Sequence, residues 1–361
     1  MKKVLVLGST GSIGQNTINI IENMKDEFIL CGATAHSNKD LLEKIKSNFN
    51  CPTLLTKNAT ESDYIILIEK SCPDIVVNGI AGSPGLLPSK LVLERKIDLA
   101  LANKETIVMA GRLVKSLSAK AGASILPVDS EHSAIFNLVE RIGKENISKI
   151  VITASGGPFR NLPKEELEKV TVEQALKHPT WNMGKKITID SSTLANKGLE
   201  VIEASLLFDA KAENIDVVVH PQSLIHSLVR TNDGMLYAQI SDPDMKHPIL
   251  SALTWPINEN CYLKPFDLFD KEMTFFKPRY DDFPLLNCAY HCVRQEGAYS
   301  IAFNAANEVA VQAFLEKKIS YTDISAIVQN TLAKDWKNEP LSFEEVFEND
   351  ALARKIAGEL I

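Results

Sequence analysis

Val4-Leu5-Val6-Leu7-Gly8-Ser9-Thr10-Gly11-Ser12-Ile13-Gly14 is the stretch on which the reading of the fold turns. Four apolar residues make a short strand, and Gly8, Gly11 and Gly14 follow at a G-x-x-G-x-x-G spacing. Glycines there allow a tight turn, close approach of backbone to a pyrophosphate, and an anion seated on a helix N-terminus. The spacing is not the G-x-G-x-x-G of the usual dinucleotide fingerprint, and glycines alone are a weak signal. Their place between a strand and a helix, with more βα units behind, favours a dinucleotide site over a plain turn.

Working outward, short apolar runs at 3–7, 28–34, 53–56, 74–80, 97–102 and 124–128 alternate with helical patterns such as 13–22, 40–46 and 86–94. That alternation predicts a parallel sheet with crossover helices. Near Glu131 the texture changes. A helix over 133–142 leads to a strand over 149–153, the turn Ser155-Gly156-Gly157-Pro158, a loop about 178–184, a strand over 186–189 and a helix from about Leu199. Strands over 217–220, 225–230 and 235–240 come next, the last two joined by Asn232-Asp233-Gly234, so a second, mixed or antiparallel sheet is expected. Residues 257–284 have little periodicity, and 285–361 read as helical throughout, with helices over 285–295, 300–318, 323–333 and 343–359. The expected fold is α/β: a Rossmann-type parallel-sheet domain (1–123), a central α/β domain with a smaller mixed sheet (124–256), a linker (257–284) and an all-helical C-terminal domain (285–361).

At 361 residues the chain exceeds the ~250–300 at which single cores stop growing. Hydrophobic residues at 45% and charged residues at 24% fit a globular protein, and a net charge of −7 provides no basic field for nucleic acid. No apolar run approaches the ~18–20 residues that span a bilayer. The apolar run after Met1-Lys2-Lys3 stops at Gly8, short of the ~7–15 residues of a signal h-region, so a cytoplasmic protein without membrane association is expected. Cys31, Cys51, Cys72, Cys261, Cys288 and Cys292 are sparse and lie in apolar contexts, and read as free thiols. Cys288, His291 and Cys292 share a helical turn, but buried small hydrophobes are a better reading than a metal site.

An acidic residue at the end of the second strand would bind the ribose 2′-hydroxyl of NAD. The chain offers Ala35-His36-Ser37-Asn38-Lys39, which has no carboxylate to repel a 2′-phosphate and several donors for one, so NADP is favoured. Asp129-Ser130-Glu131 lies where a strand gives way to a helix, and capping alone could explain it. Asn103-Lys104-Glu105 also closes a strand, at the edge where parallel sheets place ligands. Two carboxylates flanking one residue, with a third from elsewhere, make a hard-oxygen site suited to Mg²⁺ or Mn²⁺. Hydroxyls, an amide and a lysine in Ser191-Ser192-Thr193-Leu194-Ala195-Asn196-Lys197-Gly198-Leu199-Glu200 suit a phosphate ester, and Ser155-Gly156-Gly157 could add a backbone nest. Glu200 and Glu203 share a helix face and could be merely solvated. Trp181 and Met183, in the loop after His178, are core residues or part of a lid over substrate.

These segments resemble, in order and over nearly the whole chain, the 1-deoxy-D-xylulose 5-phosphate reductoisomerase family. The likeness rests on Gly8 to Gly14, Asn103-Lys104-Glu105, Asp129-Ser130-Glu131, Ala154-Ser155-Gly156-Gly157-Pro158-Phe159, His178-Pro179-Thr180-Trp181-Asn182-Met183-Gly184 and Asp190 to Glu200. His220-Pro221-Gln222-Ser223, Asp242-Pro243-Asp244-Met245 and Asn304-Ala305-Ala306-Asn307-Glu308 complete it. The resemblance implies that Asp129, Glu131 and Glu200 hold one divalent cation and that Lys104 acts on the reacting atoms. It implies substrate contacts from Lys104, Ser130, Glu131, Ser155, His178, Ser191, Asn196 and Lys197, under a flap carrying Trp181 and Met183. NADPH contacts fall to Thr10, Gly11, Ser12, Ile13, Asn103, Glu105 and Gly184, with His36, Ser37 and Asn38 at the 2′-phosphate. A homodimer acting on a small sugar phosphate is implied as well. The family commonly has Gly-Lys-Asn or Gly-Arg-Asn where this chain has His36-Ser37-Asn38, so a reduced but not inverted preference for NADPH is expected.

Two other readings compete. A semialdehyde dehydrogenase-like enzyme needs a cysteine nucleophile in its second domain, and the nearest, Cys261, lies in the connector. A non-catalytic NADP sensor would keep Gly8 to Gly14 but has no need of three carboxylates beside a phosphate pocket.

Overall fold

The computed structural model of the chain describes residues 1–181 and 183–361; Asn182, quoted in the His178 motif, lies outside them. The first half runs β1 (Lys2–Leu7), α1 (Ser12–Asn23), β2 (Phe28–Ala35), α2 (Lys39–Phe49), β3 (Thr53–Leu55), α3 (Glu61–Ser71), β4 (Ile75–Asn78), α4 (Leu86–Glu94), β5 (Asp98–Leu101), α5 (Lys104–Ala121), β6 (Ile125–Pro127) and α6 (Ser130–Ile142). The second runs β7 (Ile147–Ala154), α7 (Val172–Ala175), α8 (Lys185–Ser192), α9 (Ala195–Phe208), β8 (Ile215–Val219), β9 (Ile225–Thr231), β10 (Leu236–Ile240) and α10 (Lys246–Thr254). It closes with α11 (Leu285–Gln295), α12 (Tyr299–Leu315), α13 (Tyr321–Leu332) and α14 (Phe343–Gly358). The chain divides into two compact units, the first made of Met1–Thr106, Val114–Ser133 and Asp244–Asp267, the second of Ile107–Leu113, Ala134–Pro243 and Leu268–Ile361.

In the first unit the strands pair in the order β3-β2-β1-β4-β5-β6, every neighbour parallel. Val4, Leu5, Val6 and Leu7 are all fully buried, as a parallel strand covered on both faces must be. The strand order reverses between β1 and β4, and the carboxyl ends of strands at such a switch point form the ligand crevice of doubly wound sheets. Boundaries within this unit follow local chemistry. The Asn38 side chain accepts from the Leu41 amide to cap α2, and Thr60 with Asp63 closes a capping box on α3. Helix α10, which packs on α1, β5 and β6, had no counterpart in the sequence reading.

The second unit holds a sheet in the order β10-β9-β7-β8, parallel between β7 and β8 and antiparallel elsewhere, the mixed sheet expected from the sequence. Helix α9 packs on β7 and β8, and α11 lies against α9; α12 is flanked by α13 and α14. The strand expected over 186–189 is instead part of α8. Lys-Ile-Thr-Ile alternates like a strand, but tertiary context decides such short runs. The Thr188 hydroxyl turns back to the Gly184 carbonyl at 2.8 Å, Ile189 is buried, and the Asp190 carboxylate meets Asn307 of α12.

Candidate active site

The glycine loop is closely packed. Gly8, at φ +80°, lies so close to the chain after β4 that a Cβ would meet the Gly79 carbonyl oxygen at 2.9 Å. A Cβ at Gly14 would come within 2.4 Å of both the Gly8 oxygen and the Ser9 Cα. The loop is tied to the end of β2, where the Gly8 amide donates to the Thr34 hydroxyl (2.9 Å) and the Ser9 amide to the Thr34 carbonyl (2.7 Å). Gly11 caps α1 without a side chain, the first turn holds no acidic residue, and Gly11 and Ser12 are exposed. Thr10 and Ile13 beside them are half-buried. The first amides and the positive end of a twelve-residue helix suit a pyrophosphate. His36 and Ser37, just past β2, are exposed, whereas the Asn38 Oδ1 is engaged in capping.

At the end of β5 the Asn103 side chain is buried and held on all sides. Its Oδ1 accepts from the Thr106 amide (2.9 Å), and its Nδ2 donates to the carbonyls of Ile80 and Gly82 (2.8 Å each) and to Glu105 (3.0 Å). Asn103 therefore fixes the start of α5, where the next residue is the buried Lys104. The Lys104 ammonium pairs with Asp129 at the end of the neighbouring β6. Burial works against ionisation of Asp129, but the Lys104 charge and a hydrogen bond from His132 hold its carboxyl well below the usual range. Ser130 donates to the Glu131 carboxylate at 2.5 Å, and the Glu131 amide reaches back to Asp129. The first unit thus presents two carboxylates, a hydroxyl and an ammonium at the start of α6.

The second unit supplies a different cluster. His178 Nε2 lies 3.0 Å from the Ser155 hydroxyl and 3.1 Å from that of Ser191. Its Nδ1 accepts from the amides of Thr180 (3.1 Å) and Trp181 (2.9 Å). Two N–H donors on Nδ1 require that nitrogen to be unprotonated, so the neutral ring carries its proton on Nε2, toward the serines. Burial favours the same state by lowering the His178 pKa. Gly156 and Gly157 adopt φ +84° and +65°, and the Gly157 amide approaches the Ser155 hydroxyl. In the first turn of α9, Asn196 donates to Glu200 Oε1 at 2.5 Å and Lys197 pairs with Oε2 of the same buried carboxylate. Met183 and Trp181 are half-buried, and the exposed Gly184 caps α8.

Of the expected residues, Lys104, Asp129, Ser130 and Glu131 lie together in the first unit, while in the second Ser155, His178 and Ser191 form one group and Asn196, Lys197 and Glu200 another. The sequence reading missed His132, which is fully buried, and gave no role to Asp190 or Asn307. A histidine three residues after Asp129, one turn along a helix, was the available signal for the first. Nothing in linear spacing points to the other two.

Family models for 1-deoxy-D-xylulose 5-phosphate reductoisomerase match residues 4–66 and 54–111, and models for its C-terminal domains match 125–208 and 240–356. The chain is 50% identical over 366 residues to the 1-deoxy-D-xylulose 5-phosphate reductoisomerase of Treponema denticola, covering 99% of this chain and 96% of that one. It is 45% identical to that of Treponema pallidum over 99% and 96%. Among solved structures, a DOX-P reductoisomerase in complex with NADPH, fosmidomycin and magnesium superposes with a TM-score of 0.91 at 36% identity, covering 100% and 98% of the two chains. The Zymomonas mobilis reductoisomerase in complex with NADPH gives 0.88 at 37% identity over 99% and 98%.

Proposed function

The chain belongs to the 1-deoxy-D-xylulose 5-phosphate reductoisomerase family, and from that premise we propose how its own residues carry out the family's reaction. It converts 1-deoxy-D-xylulose 5-phosphate to 2-C-methyl-D-erythritol 4-phosphate, with NADPH and one divalent cation, in the non-mevalonate isoprenoid pathway. The observation that carries this reading is the His178 cluster, a neutral imidazole donor between two hydroxyls, which suits a phosphate ester.

The donor sets fit both absent groups. Gly8 to Gly14 leave no room for a Cβ at either end and present the amides of α1 to a pyrophosphate. We assign Thr10, Gly11, Ser12, Ile13, Asn103, Glu105 and Gly184 to NADPH, with His36, Ser37 and Asn38 at its 2′-phosphate. Asp129, Glu131 and Glu200 are hard oxygen donors, each unit bringing its own lysine against the charge. We assign these three carboxylates to one Mg²⁺ or Mn²⁺. When bound, the cation supplies Lewis-acid polarisation of the substrate's ketone and adjacent hydroxyl, and NADPH supplies hydride for the branched aldehyde left by rearrangement.

The remaining work is the protein's. Ser155, His178, Ser191, Asn196 and Lys197 anchor the phosphate, binding energy remote from the reacting carbons that holds them in register. Ser130 and Glu131 bind the substrate's hydroxyl end. Lys104, buried and fixed behind Asn103, stabilises negative charge developing on the substrate's oxygens. Trp181 and Met183 close over the site, and the Thr180 and Trp181 amides couple that flap to the imidazole that holds the phosphate.

A homodimer is part of this reading. β10 is the edge of its sheet, and Met235, Leu236, Tyr237 and Ile240 on and beside it are exposed, an apolar edge that a second copy would cover. We place the enzyme in the cytoplasm, in keeping with six free cysteines. Among the described residues no helix is long and apolar enough to cross a membrane. The test is NADPH oxidation on adding 1-deoxy-D-xylulose 5-phosphate, with and without Mg²⁺ or Mn²⁺. Oxidation that requires both substrate and metal is expected; none, from folded protein that binds NADPH, would overturn the assignment.

A further inference from the structure

The motif Asn304-Ala305-Ala306-Asn307-Glu308 lies in the middle of α12, and its asparagines are fully buried. A buried asparagine on an otherwise apolar helix face is unfavourable unless its amide is used. Asn307 Nδ2 donates to Asp190 Oδ1 at 2.7 Å, while its own Oδ1 is buried with no partner among the described residues. The residue thus serves the contact with Asp190 better than it serves the packing of α12. Asp190 is 1% exposed, and its other oxygen accepts from Lys186 at 2.8 Å, so the carboxylate is gripped from both sides. The next residue is Ser191, whose hydroxyl faces His178.

A second contact seizes the same turn from α13. The buried Tyr321 hydroxyl donates to the Ser192 carbonyl at 2.7 Å, with its ring held edge-on by Phe159 at 5.3 Å. From the third side Gly157 approaches so closely that a Cβ would meet the Ser191 carbonyl at 2.7 Å. The last turn of α8 therefore has no freedom of its own, and two of its three clamps come from helices more than a hundred residues away in sequence.

We propose that Asn307 and Tyr321 are positioning residues for the phosphate subsite, acting through Asp190 and Ser192 to hold the Ser191 hydroxyl against His178. The inference rests on the phosphate assignment made above. It explains why an amide motif sits inside α12, where alanine or leucine would pack without an unpaired acceptor.

Tyr321→Phe removes one hydroxyl and leaves the ring contacts with Phe159 and, at 5.8 Å, with Phe314, and Asn307→Ala removes the amide. Each is measured for KM toward 1-deoxy-D-xylulose 5-phosphate, inhibition by inorganic phosphate, kcat, and Kd for NADPH. Each is then repeated in a Ser191→Ala background. The expected result is KM and the phosphate inhibition constant raised about tenfold, with kcat and NADPH affinity within about twofold. In the Ser191→Ala background those increases should largely vanish, because the hydroxyl being positioned is already gone. Asn307→Ser, which keeps a short donor, should recover part of the loss. Unchanged KM in Tyr321→Phe, or equal effects with and without Ser191, would overturn the proposal, since a general loss of stability ignores Ser191. If Asn307→Ala does not fold, Tyr321→Phe decides alone. Wild-type protein that is not inhibited by phosphate and does not bind the substrate would instead bring down the phosphate assignment itself.

Discussion

The imidazole of His178 and the hydroxyl of Ser191 face each other across 3.1 Å, and the opposite ring nitrogen is held by backbone amides of the loop that follows. In the proposed assignment, one side chain thereby meets the phosphate on one edge and holds the Thr180–Trp181 loop on the other. Protonation of Nδ1 would set a donor against two donors and release the flap. Burial lowers this pKa from its ordinary value of 6.5, so the neutral ring persists below that pH.

The sign for stability follows from the same shift. The unfolded chain takes up the proton at higher pH than the folded one, so stability falls as pH drops below 6.5 toward the lowered pKa. KM for the substrate should rise as the pH falls through the lowered pKa itself, while NADPH affinity changes little. The measurement is a pH profile of KM and of thermal midpoint; a KM that stays flat from neutral pH down to acid unfolding would contradict it.

His178→Asn and His178→Gln separate the two edges of the ring. Asparagine places an acceptor near Nδ1 and keeps the flap amides; glutamine places a donor near Nε2 and keeps the serines. Both should lose about 10- to 100-fold in kcat/KM. Glutamine should retain phosphate inhibition, and asparagine should lose it. Identical behaviour of the two variants would mean the ring edges have no separate roles.

Glu200→Gln distinguishes an enzyme from a nucleotide sensor. Removing the charge leaves the Lys197 ammonium without its carboxylate and takes one hard donor from the proposed cation set. Turnover should fall by about a hundredfold or more, with a raised metal requirement and unchanged NADPH affinity. Full turnover at the same Mg²⁺ concentration would remove Glu200 from the metal assignment.

Gly14→Ala tests the nucleotide loop. Its methyl would sit 2.4 Å from the Gly8 oxygen, so α1 or the loop must shift. Overpacking of this kind costs about 1–3 kcal/mol, and NADPH affinity should fall by about tenfold or more. Fluorescence titration with NADPH is the readout, and unchanged affinity would show that pyrophosphate does not rest on this loop.

Cofactor choice gives a finer test. With His36 and Ser37 exposed and Asn38 partly spent on capping, NADPH should be preferred over NADH, by less than a lysine or arginine there would give. Ser37→Arg should widen the preference. Equal kcat/KM for the two nucleotides in the wild-type protein would contradict the reading of this segment.

Much of this architecture was visible in the sequence because its signals are local. The apolar run of β1, the glycines after it and the alternation of strands and helices each follow from a few adjacent residues. The run 186–189 misled because Lys-Ile-Thr-Ile has strand chemistry and helix placement; what holds α8 in place comes from Asn307 in α12. Helix α10 escaped notice because its short sequence, Lys246–Thr254, is packed by α1, β5 and β6 rather than announced by caps. The grip of Asn103 on Ile80 and Gly82, and of Tyr321 on Ser192, are long-range facts that no spacing rule reaches.

The central claim is that the protein rearranges a carbon skeleton before reducing it. The direct test is carbon NMR of the product formed from 1-deoxy-D-xylulose 5-phosphate, NADPH and Mg²⁺ under single-turnover conditions. A branched 2-C-methyl tetritol phosphate is predicted. An unbranched 1-deoxypentitol phosphate, the product of plain ketone reduction, would contradict the account.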